Sequence, residues 1–164
     1  MSIGVDLARL LAYSDHERTK WKTWVGADPA RLTARFQNGE RFPTIGSLLD
    51  HIFLIEGRHL ARLEGSALPE NTGVAAGDWP SLVEYADAVR ARLRQYVAGL
   101  DEHVGSQSIT FTIQTGTFTI LRRKLALHIL LHEVRHLAQI AYAARLAGYE
   151  PPGEHDYFYF SEST

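Results

Sequence analysis

Apolar side chains recur along this sequence every three to four residues, which is the spacing of one face of a helix. The first such segment covers residues 5–25 and predicts a first helix. A second helix is expected to follow an N-cap at Thr44 and to run to about Leu63, where Gly65 can adopt the left-handed conformation that ends a helix. The first half of the chain therefore predicts two long helices.

The second half of the chain adds two helices and a change of period between them. Trp79-Pro80-Ser81 opens a third helix, because proline is favoured in a first helical turn. Residues 107–120 alternate apolar and polar side chains around a turn at Gln114-Thr115-Gly116, which is the pattern of a β-hairpin. A fourth helix is expected from about Leu121 to Leu146. These elements predict an all-α fold, a four-helix bundle with a small β-hairpin before the last helix.

Composition and charge narrow the possible functions. The 164 residues fit a single domain, residues 1–164, which can bury a core without disulfides. A formal net charge of -2 gives no electrostatic footprint for nucleic acid. No segment has the pattern of a transmembrane helix or a signal peptide, so we expect no membrane association and a cytoplasmic location. The absence of cysteine excludes a cysteine metal ligand and a protein thiol nucleophile.

The segment HILLHEVRHLAQI, residues 128–140, places three histidines at intervals of four. His128, His132 and His136 fall within a strip about 80° wide on the core side of the fourth helix. Buried imidazoles need polar partners, and a metal ion is an economical one. The first and last of the three lie about 12 Å apart along the helix, so two of them at most bind one ion. His51, in the apolar run LLDHIFLI of the second helix, is the natural candidate for a third ligand.

The remaining histidines are not predicted to bind the same ion. His59 lies two turns beyond His51 and is rotated by about 80°, which predicts a rim or surface position out of reach of the same ion. His16 is expected on the solvent side of the first helix, and His103 and His155 have no partner in the pattern. A hydrogen-bonded histidine cluster without metal remains an alternative for the whole stripe.

Two arginines share the stripe of His51. Arg58 and Arg62 follow it on the second helix and can reach an anionic substrate, although ordinary surface arginines are the favoured interpretation.

Residues 132–136 also match the HExxH motif of zinc peptidases, with Glu133 as the general base. The metzincin extension requires glycine and histidine where this chain has Gln139 and Tyr142. The chain after Gly148 offers no further helix for a ligand glutamate. A peptidase is therefore the less favoured alternative.

The order and spacing of these motifs resemble the DinB/YfiT-like superfamily over essentially the whole chain. The similar segments are AYSDHERTKW in the first helix, LLDHIFLIEGRHLARLEG in the second and HILLHEVRHLAQIAYAARLAGYEPP in the fourth. The resemblance implies an up-down-down-up bundle, often dimeric, in which His51, His132 and His136 hold a divalent metal, usually zinc or nickel. It places His128 near the site rather than on the ion. The common HHRGQ ending is altered here at Arg135, Leu137 and Ala138.

The resemblance also implies a range of activities. Characterised relatives include S-transferases and isomerases that use a low-molecular-weight thiol such as mycothiol, bacillithiol or glutathione, and others are described as metal-dependent hydrolases. This implies an enzyme that activates a thiol or water for a small-molecule substrate, with Glu133 and His128 as candidate acid–base or ligand-orienting residues. A bundle that binds metal or a small ligand without turnover is the alternative.

Two further features concern the outside of the bundle. The fourth helix has a second apolar face, which predicts packing on the hairpin or on a second subunit and hence a homodimer. Its members are Leu127, Leu130, Val134, Leu137 and Ala141. The aromatic tail at residues 156–160 is expected to fold back onto the bundle and to line the mouth of the pocket.

Overall fold

The computed structural model describes residues 6–36 and 41–161. Four long helices dominate this part of the chain: α1 Leu7–Ala27, α2 Ile45–Glu64, α3 Trp79–Ala98 and α5 Arg122–Leu146. The short helix α4, Glu102–Gly105, and the strands β1, Ser108–Ile113, and β2, Gly116–Leu121, lie between α3 and α5. Short 3-10 turns form at Pro29–Thr33 and Tyr157–Tyr159. The predicted all-α fold with a hairpin before the last helix is confirmed.

The ends of α2 form as their residues predict. The Thr44 hydroxyl accepts a hydrogen bond from the Ser47 amide at 3.1 Å, and the Ser47 hydroxyl accepts one from the Thr44 amide at 3.0 Å. This reciprocal capping box satisfies two amides that the first turn leaves without helical partners. Gly65 ends the helix with a φ of 72°, a left-handed conformation that favours glycine.

The hairpin lies against one end of the bundle. Its strands pair in antiparallel register, with Phe111 opposite Phe118 and Ile113 opposite Gly116. Ile109, Phe111 and Ile120 pack against one of the two hydrophobic clusters. The hairpin therefore covers the end of the core from which α5 begins.

The core consists of two hydrophobic clusters that every long helix crosses. One cluster contains Trp21, Ile52 and Leu137, and the other contains Leu60, Leu93 and Leu130. The chain passes from the second cluster to the first along α1 and α5, and in the reverse direction along α2 and α3. The helices therefore run up, down, down and up. In the described residues, no helix combines the length and the apolar content needed to cross a membrane.

A layer of buried charge separates the two clusters. It joins Ser14 and Arg18 of α1, Glu56 of α2, Arg90 of α3 and Glu133 of α5. Arg18 Nε lies 2.7 Å from a Glu133 oxygen, and Arg90 Nε lies 3.0 Å from a Glu56 oxygen. None of these side chains is more than 4% exposed. Two arginines and two glutamates balance in charge, so the layer fixes how the four helices meet.

The second apolar face of α5 is used mainly inside the bundle. Leu130, Leu137 and Ala141 are buried in the core clusters, because α5 packs against α1 as well as α2. This face therefore packs on α1 within the bundle, and the hairpin packs against the cluster that contains Leu130. Association with a second subunit stays a prediction. A neighbouring stripe on α5 remains open, with Leu131 at 49% and Tyr142 at 57% exposure.

The C-terminal tail folds back onto α1. The ring of Tyr13 lies 5.2 Å from that of Tyr157 and 5.7 Å from that of Phe160. His155 stacks on Trp21 at 5.2 Å, so the sequence pattern missed its partner. The fold-back of the tail is confirmed. In the described residues, the aromatic rings of the tail contact α1 and do not contact the histidines of α2 and α5. These contacts do not support the expectation that the tail lines the mouth of a pocket at the histidines.

Candidate metal centre

Three histidines from two helices meet between α2 and α5. His51, His132 and His136 each place one ring nitrogen within 4.8 Å of the other two. The Nε2 atoms of His132 and His136 are 3.1 Å apart, as expected for residues one turn apart on one helix. The ring of His51 lies 5.2 Å from each of those two rings. The fold thus brings together the three residues that the sequence singled out, and metal binding by them is the remaining prediction.

Burial keeps these imidazoles neutral. His132 and His136 are 9% and 6% exposed, and His51 is partly exposed. Desolvation, followed by the positive charge of neighbouring histidines and arginines, lowers the pKa of His51 to about 4 and that of His132 to about 2. Burial also lowers the pKa of His136. Neutral imidazole is the form that binds metal, so near neutral pH the cluster needs to release no proton.

Gln139 orients His136 from one turn away. The Nδ1 of His136 lies 2.5 Å from the side-chain carbonyl oxygen of Gln139. A carbonyl oxygen only accepts hydrogen bonds, so Nδ1 carries the proton and Nε2 offers its lone pair toward His132. The exposed Arg135 places Nη2 3.3 Å from the same Nε2, so this arginine must withdraw when an ion binds.

The donor set fits a transition metal of the zinc or nickel type. Imidazole nitrogens suit zinc, copper, iron and nickel, whereas magnesium and calcium prefer oxygen ligands. Within the described residues, the group that can hold an ion has three members and no carboxylate. Three protein ligands are typical of catalytic zinc sites, whereas structural zinc sites usually have four.

Phe42 forms a wall of the cluster that sequence reasoning missed. Its ring lies 4.2 Å from the ring of His51 and 6.3 Å from that of His136. An aromatic residue two positions before the Thr44 N-cap is a weak signal, because nothing local indicates which way a loop side chain points. The apolar ring shields one side of the imidazoles from water.

His128 and His59 form a second pair next to the cluster. The His128 ring lies 5.8 Å from that of His132 and 5.2 Å from that of His59. His128 is therefore near the centre but outside the group of three, in agreement with its expected position. The rim or surface assignment of His59 was wrong, since only 8% of this residue is exposed. The hairpin covers it, with Phe111 at 6.1 Å between ring centres.

Glu133 belongs to the buried charge layer. One carboxylate oxygen accepts from Arg18 and the other accepts from Ser14 and Arg90. Burial alone would raise the pKa of Glu133, but the two arginines outweigh burial and lower it. A carboxylate held ionised in this way has little capacity as a base, so these contacts argue against the expected acid–base role. They also deprive the HExxH peptidase interpretation of its general base.

The remaining candidates are Arg58 of α2 and the histidines of α1 and α4. Arg58 donates to the backbone carbonyls of Pro69 and Glu70 and so anchors the loop between α2 and α3. His16 and His103 are exposed, as expected for His16.

A cavity beside α2 lies apart from the histidines. It has a volume of about 960 Å³ and is lined by residues near Leu32, by the start of α2 and by residues 71–79. None of the three clustered histidines lines it. Asp50 does line it, and accepts a hydrogen bond from Thr72 at 2.6 Å. The residue after Asp50, His51, belongs to the separate histidine cluster.

Comparison with known proteins agrees with this arrangement. No curated protein gives a significant match to the chain. The family model described as DinB family matches residues 1–164, the full length of the sequence. The helical fold with its hairpin accords with that match, and the cluster of three histidines is compatible with metal binding. The chain therefore belongs to the DinB family.

Proposed function

We propose that this protein is a metal-dependent enzyme whose divalent ion, zinc or nickel, is held by His51, His132 and His136. The observation that carries the proposal is the convergence of three neutral imidazoles within 4.8 Å, contributed by two helices. Buried imidazoles without a common partner would be costly, and one ion satisfies all three.

The ion would supply a positive charge that lowers the pKa of a small thiol or water at the site. The protein's own residues prepare the site for it. Gln139 fixes the tautomer of His136, and Phe42 limits the access of water. His128 is the available imidazole just outside the group of three and is our candidate for proton transfer. For Glu133 we propose a positioning role, because it holds α5 to α1 and α3.

The proposed reaction is the activation of a low-molecular-weight thiol, in S-transfer or isomerisation, or of water in hydrolysis. The chain has no cysteine, so any thiol would come from a cofactor or a substrate. The acceptor would be a small molecule.

Metal content tests the ligand set. We expect about one zinc or nickel ion per chain in the purified protein, measured by plasma mass spectrometry. His51→Ala and His132→Ala should each lose it, because two imidazoles bind such an ion weakly. His103→Ala, at an exposed histidine of α4, is the matched control and should retain the metal. His128→Ala should retain it too, because His128 lies outside the group of three.

The absence of metal from the wild-type protein would contradict the proposed metal site. A wild-type protein without metal after incubation with zinc and nickel would leave a hydrogen-bonded histidine cluster. If the ion binds but neither thiol transfer nor hydrolysis is observed across a substrate screen, the non-catalytic alternative gains support.

We also propose that two copies associate through the open stripe of α5. Leu131 and Tyr142 are exposed on it, and Leu127 and Val134 lie within about 80° of them around the helix. Exposed apolar side chains grouped on one helix face are typical of association surfaces.

A further inference from the structure

Arg62 of α2 carries a positive charge that no carboxylate in the described residues neutralises. Its Nη1 lies 3.4 Å from His59 Nδ1, and its guanidinium carbon lies 4.9 Å from the centre of the Phe111 ring. The Nε of Arg62 is buried and has no hydrogen-bond partner. Arg92 of α3, by contrast, pairs with the carboxylate of Glu64 at the end of α2. A partly buried guanidinium with spare donors is suited to an anion.

The groups around Arg62 form a continuous path from the metal centre. From His132 the path passes to His128 at 5.8 Å and to His59 at 5.2 Å, measured between ring centres, and Arg62 follows. Arg62 also lies eleven residues after His51 on nearly the same face of α2, roughly 16 Å along the axis. Its side chain leans back toward the N-terminus of the helix, which brings the guanidinium closer to the histidines.

Three arginines contribute positive charge around the histidine cluster. Arg41, Arg58 and Arg135 act on His51, and each lowers its pKa after the larger effect of burial. Two of the three nearby acidic groups are paired with arginines. Glu56 and Glu133 are neutralised by arginines in the buried charge layer, whereas Asp50 accepts a hydrogen bond from the uncharged hydroxyl of Thr72 and is outnumbered by the three arginines. The site is therefore locally positive, although the chain as a whole carries a net charge of -2.

The contact with Arg62 sets the tautomer of His59. His59 accepts from Arg62 at Nδ1, so its proton is on Nε2 when the ring is neutral. His128 is exposed and leaves the path open to solvent on one side. A ligand carboxylate at Arg62 would therefore meet a guanidinium with an imidazole beside it, while the face of Phe111 supports the guanidinium.

We propose that Arg62, with His59 and His128 beside it, binds the carboxylate of an elongated small molecule whose reactive end lies at His51, His132 and His136. This inference rests on the proposed function and assigns its ligand to the class of small carboxylic acids. Arg62 is a specificity-determining residue in this scheme and not a metal ligand.

Matched thiols test the assignment. Calorimetric titration of the metal-loaded protein with 6-mercaptohexanoate and 6-mercapto-1-hexanol compares a carboxylate with a neutral end of the same reach. We expect the wild type to bind the carboxylate about tenfold more tightly, the effect of one charge-assisted hydrogen bond. Arg62→Gln should abolish that preference and Arg62→Lys should keep part of it. Arg92→Gln removes the same charge elsewhere and should leave the preference intact.

Two results would overturn the inference. One is equal binding of the two thiols by the wild type, and the other is an unchanged preference in Arg62→Gln. Metal content is measured in each variant, since Arg62→Gln should bind metal as the wild type does.

A wild type that binds no metal would defeat the proposed function but not this test. Hexanoate and hexanol then replace the thiols, with the imidazole signals of His59 and His128 followed by nuclear magnetic resonance. Shifts caused only by hexanoate and lost in Arg62→Gln would support the carboxylate site. Absence of such shifts would refute it.

Discussion

His59 illustrates how far neighbours from other elements decide the chemistry of one side chain. The α2 pattern alone suggests a rim position, but Phe111 of the hairpin and His128 of α5 cover the ring. Burial, followed by repulsion from His128 and Arg62, lowers the pKa of His59 from 6.5 to about 3. The histidine is therefore neutral in the folded protein over a range in which it is protonated in the unfolded chain.

This difference makes stability depend on pH. Above the unfolded pKa of 6.5 the contribution of His59 to stability is complete, and it is lost as the pH falls toward the folded pKa of about 3. Replacing His59 by leucine should therefore reduce the fall in unfolding free energy between pH 6 and pH 4 by about 1 kcal/mol per pH unit. Urea unfolding in the presence of a chelator, repeated across this pH range, measures the unfolding free energy of both proteins.

An exposed histidine supplies the control for that experiment. His103→Leu removes an imidazole from the surface of α4 and should leave the pH dependence as it is in the wild type. Equal slopes for wild type and His59→Leu would mean that water reaches His59 in solution.

Each of the four long helices contributes at least one side chain to the buried charge layer. The layer lies between the two hydrophobic clusters of the core. Ser14 and Arg18 already stand out in the sequence, since they interrupt the apolar face of α1 at a spacing of four. Their partners on the other three helices do not, because periodicity does not state which helices face each other. The layer therefore emerges only when the bundle assembles.

Removing one charge from the layer should be severe. Glu133→Gln leaves Arg18 and Arg90 with a single buried carboxylate, Glu56, between them. We expect a loss of about 3–5 kcal/mol in unfolding free energy, typical of a broken buried ion pair. Chemical denaturation measures this loss.

Glu102→Gln is the matched substitution at the surface, where Glu102 pairs with Arg123 and is 84% exposed. It should cost no more than about 1 kcal/mol. Stability and catalysis together separate the two roles considered for Glu133, and the folded Glu133→Gln protein should bind metal normally in either case. A stable Glu133→Gln protein that loses only catalysis would instead restore Glu133 as an acid–base residue.

The open stripe of α5 concerns the molecule as a whole. Leu131 and Tyr142 lie on it, on a different face of α5 from the histidine cluster, so association there would leave the histidine face free. We expect the wild type to sediment as a dimer in analytical ultracentrifugation. The double variant Leu131→Lys/Tyr142→Lys should sediment as a monomer, because two charges on each copy would face an apolar partner.

Phe158→Lys provides the comparison, since Phe158 is the most exposed large apolar side chain described, at 89%, and lies in the tail. It should leave the sedimentation unchanged. A wild-type monomer at all concentrations tested would remove the dimer proposal without affecting the metal centre.

The sequence by itself determined most of the fold. Helical periodicity, the Thr44 capping box, the left-handed glycine at position 65 and the alternation around Gly116 all act within a few residues of the chain. The pair His132 and His136 is also local, because residues four apart on a helix are neighbours wherever that helix packs. His51 could be proposed because it interrupts an apolar stripe.

Only the tertiary structure decided the surroundings of these residues. The burial of His59, the engagement of Glu133 and the contact of Phe42 with His51 each depend on side chains from distant parts of the chain. A helical pattern states which face of a helix is apolar, but not which residue of another element will stand opposite. The packing of the helices and the hairpin determines which residues face each other. These neighbours decide whether a polar side chain is available to a ligand or a substrate or is engaged in a structural ion pair.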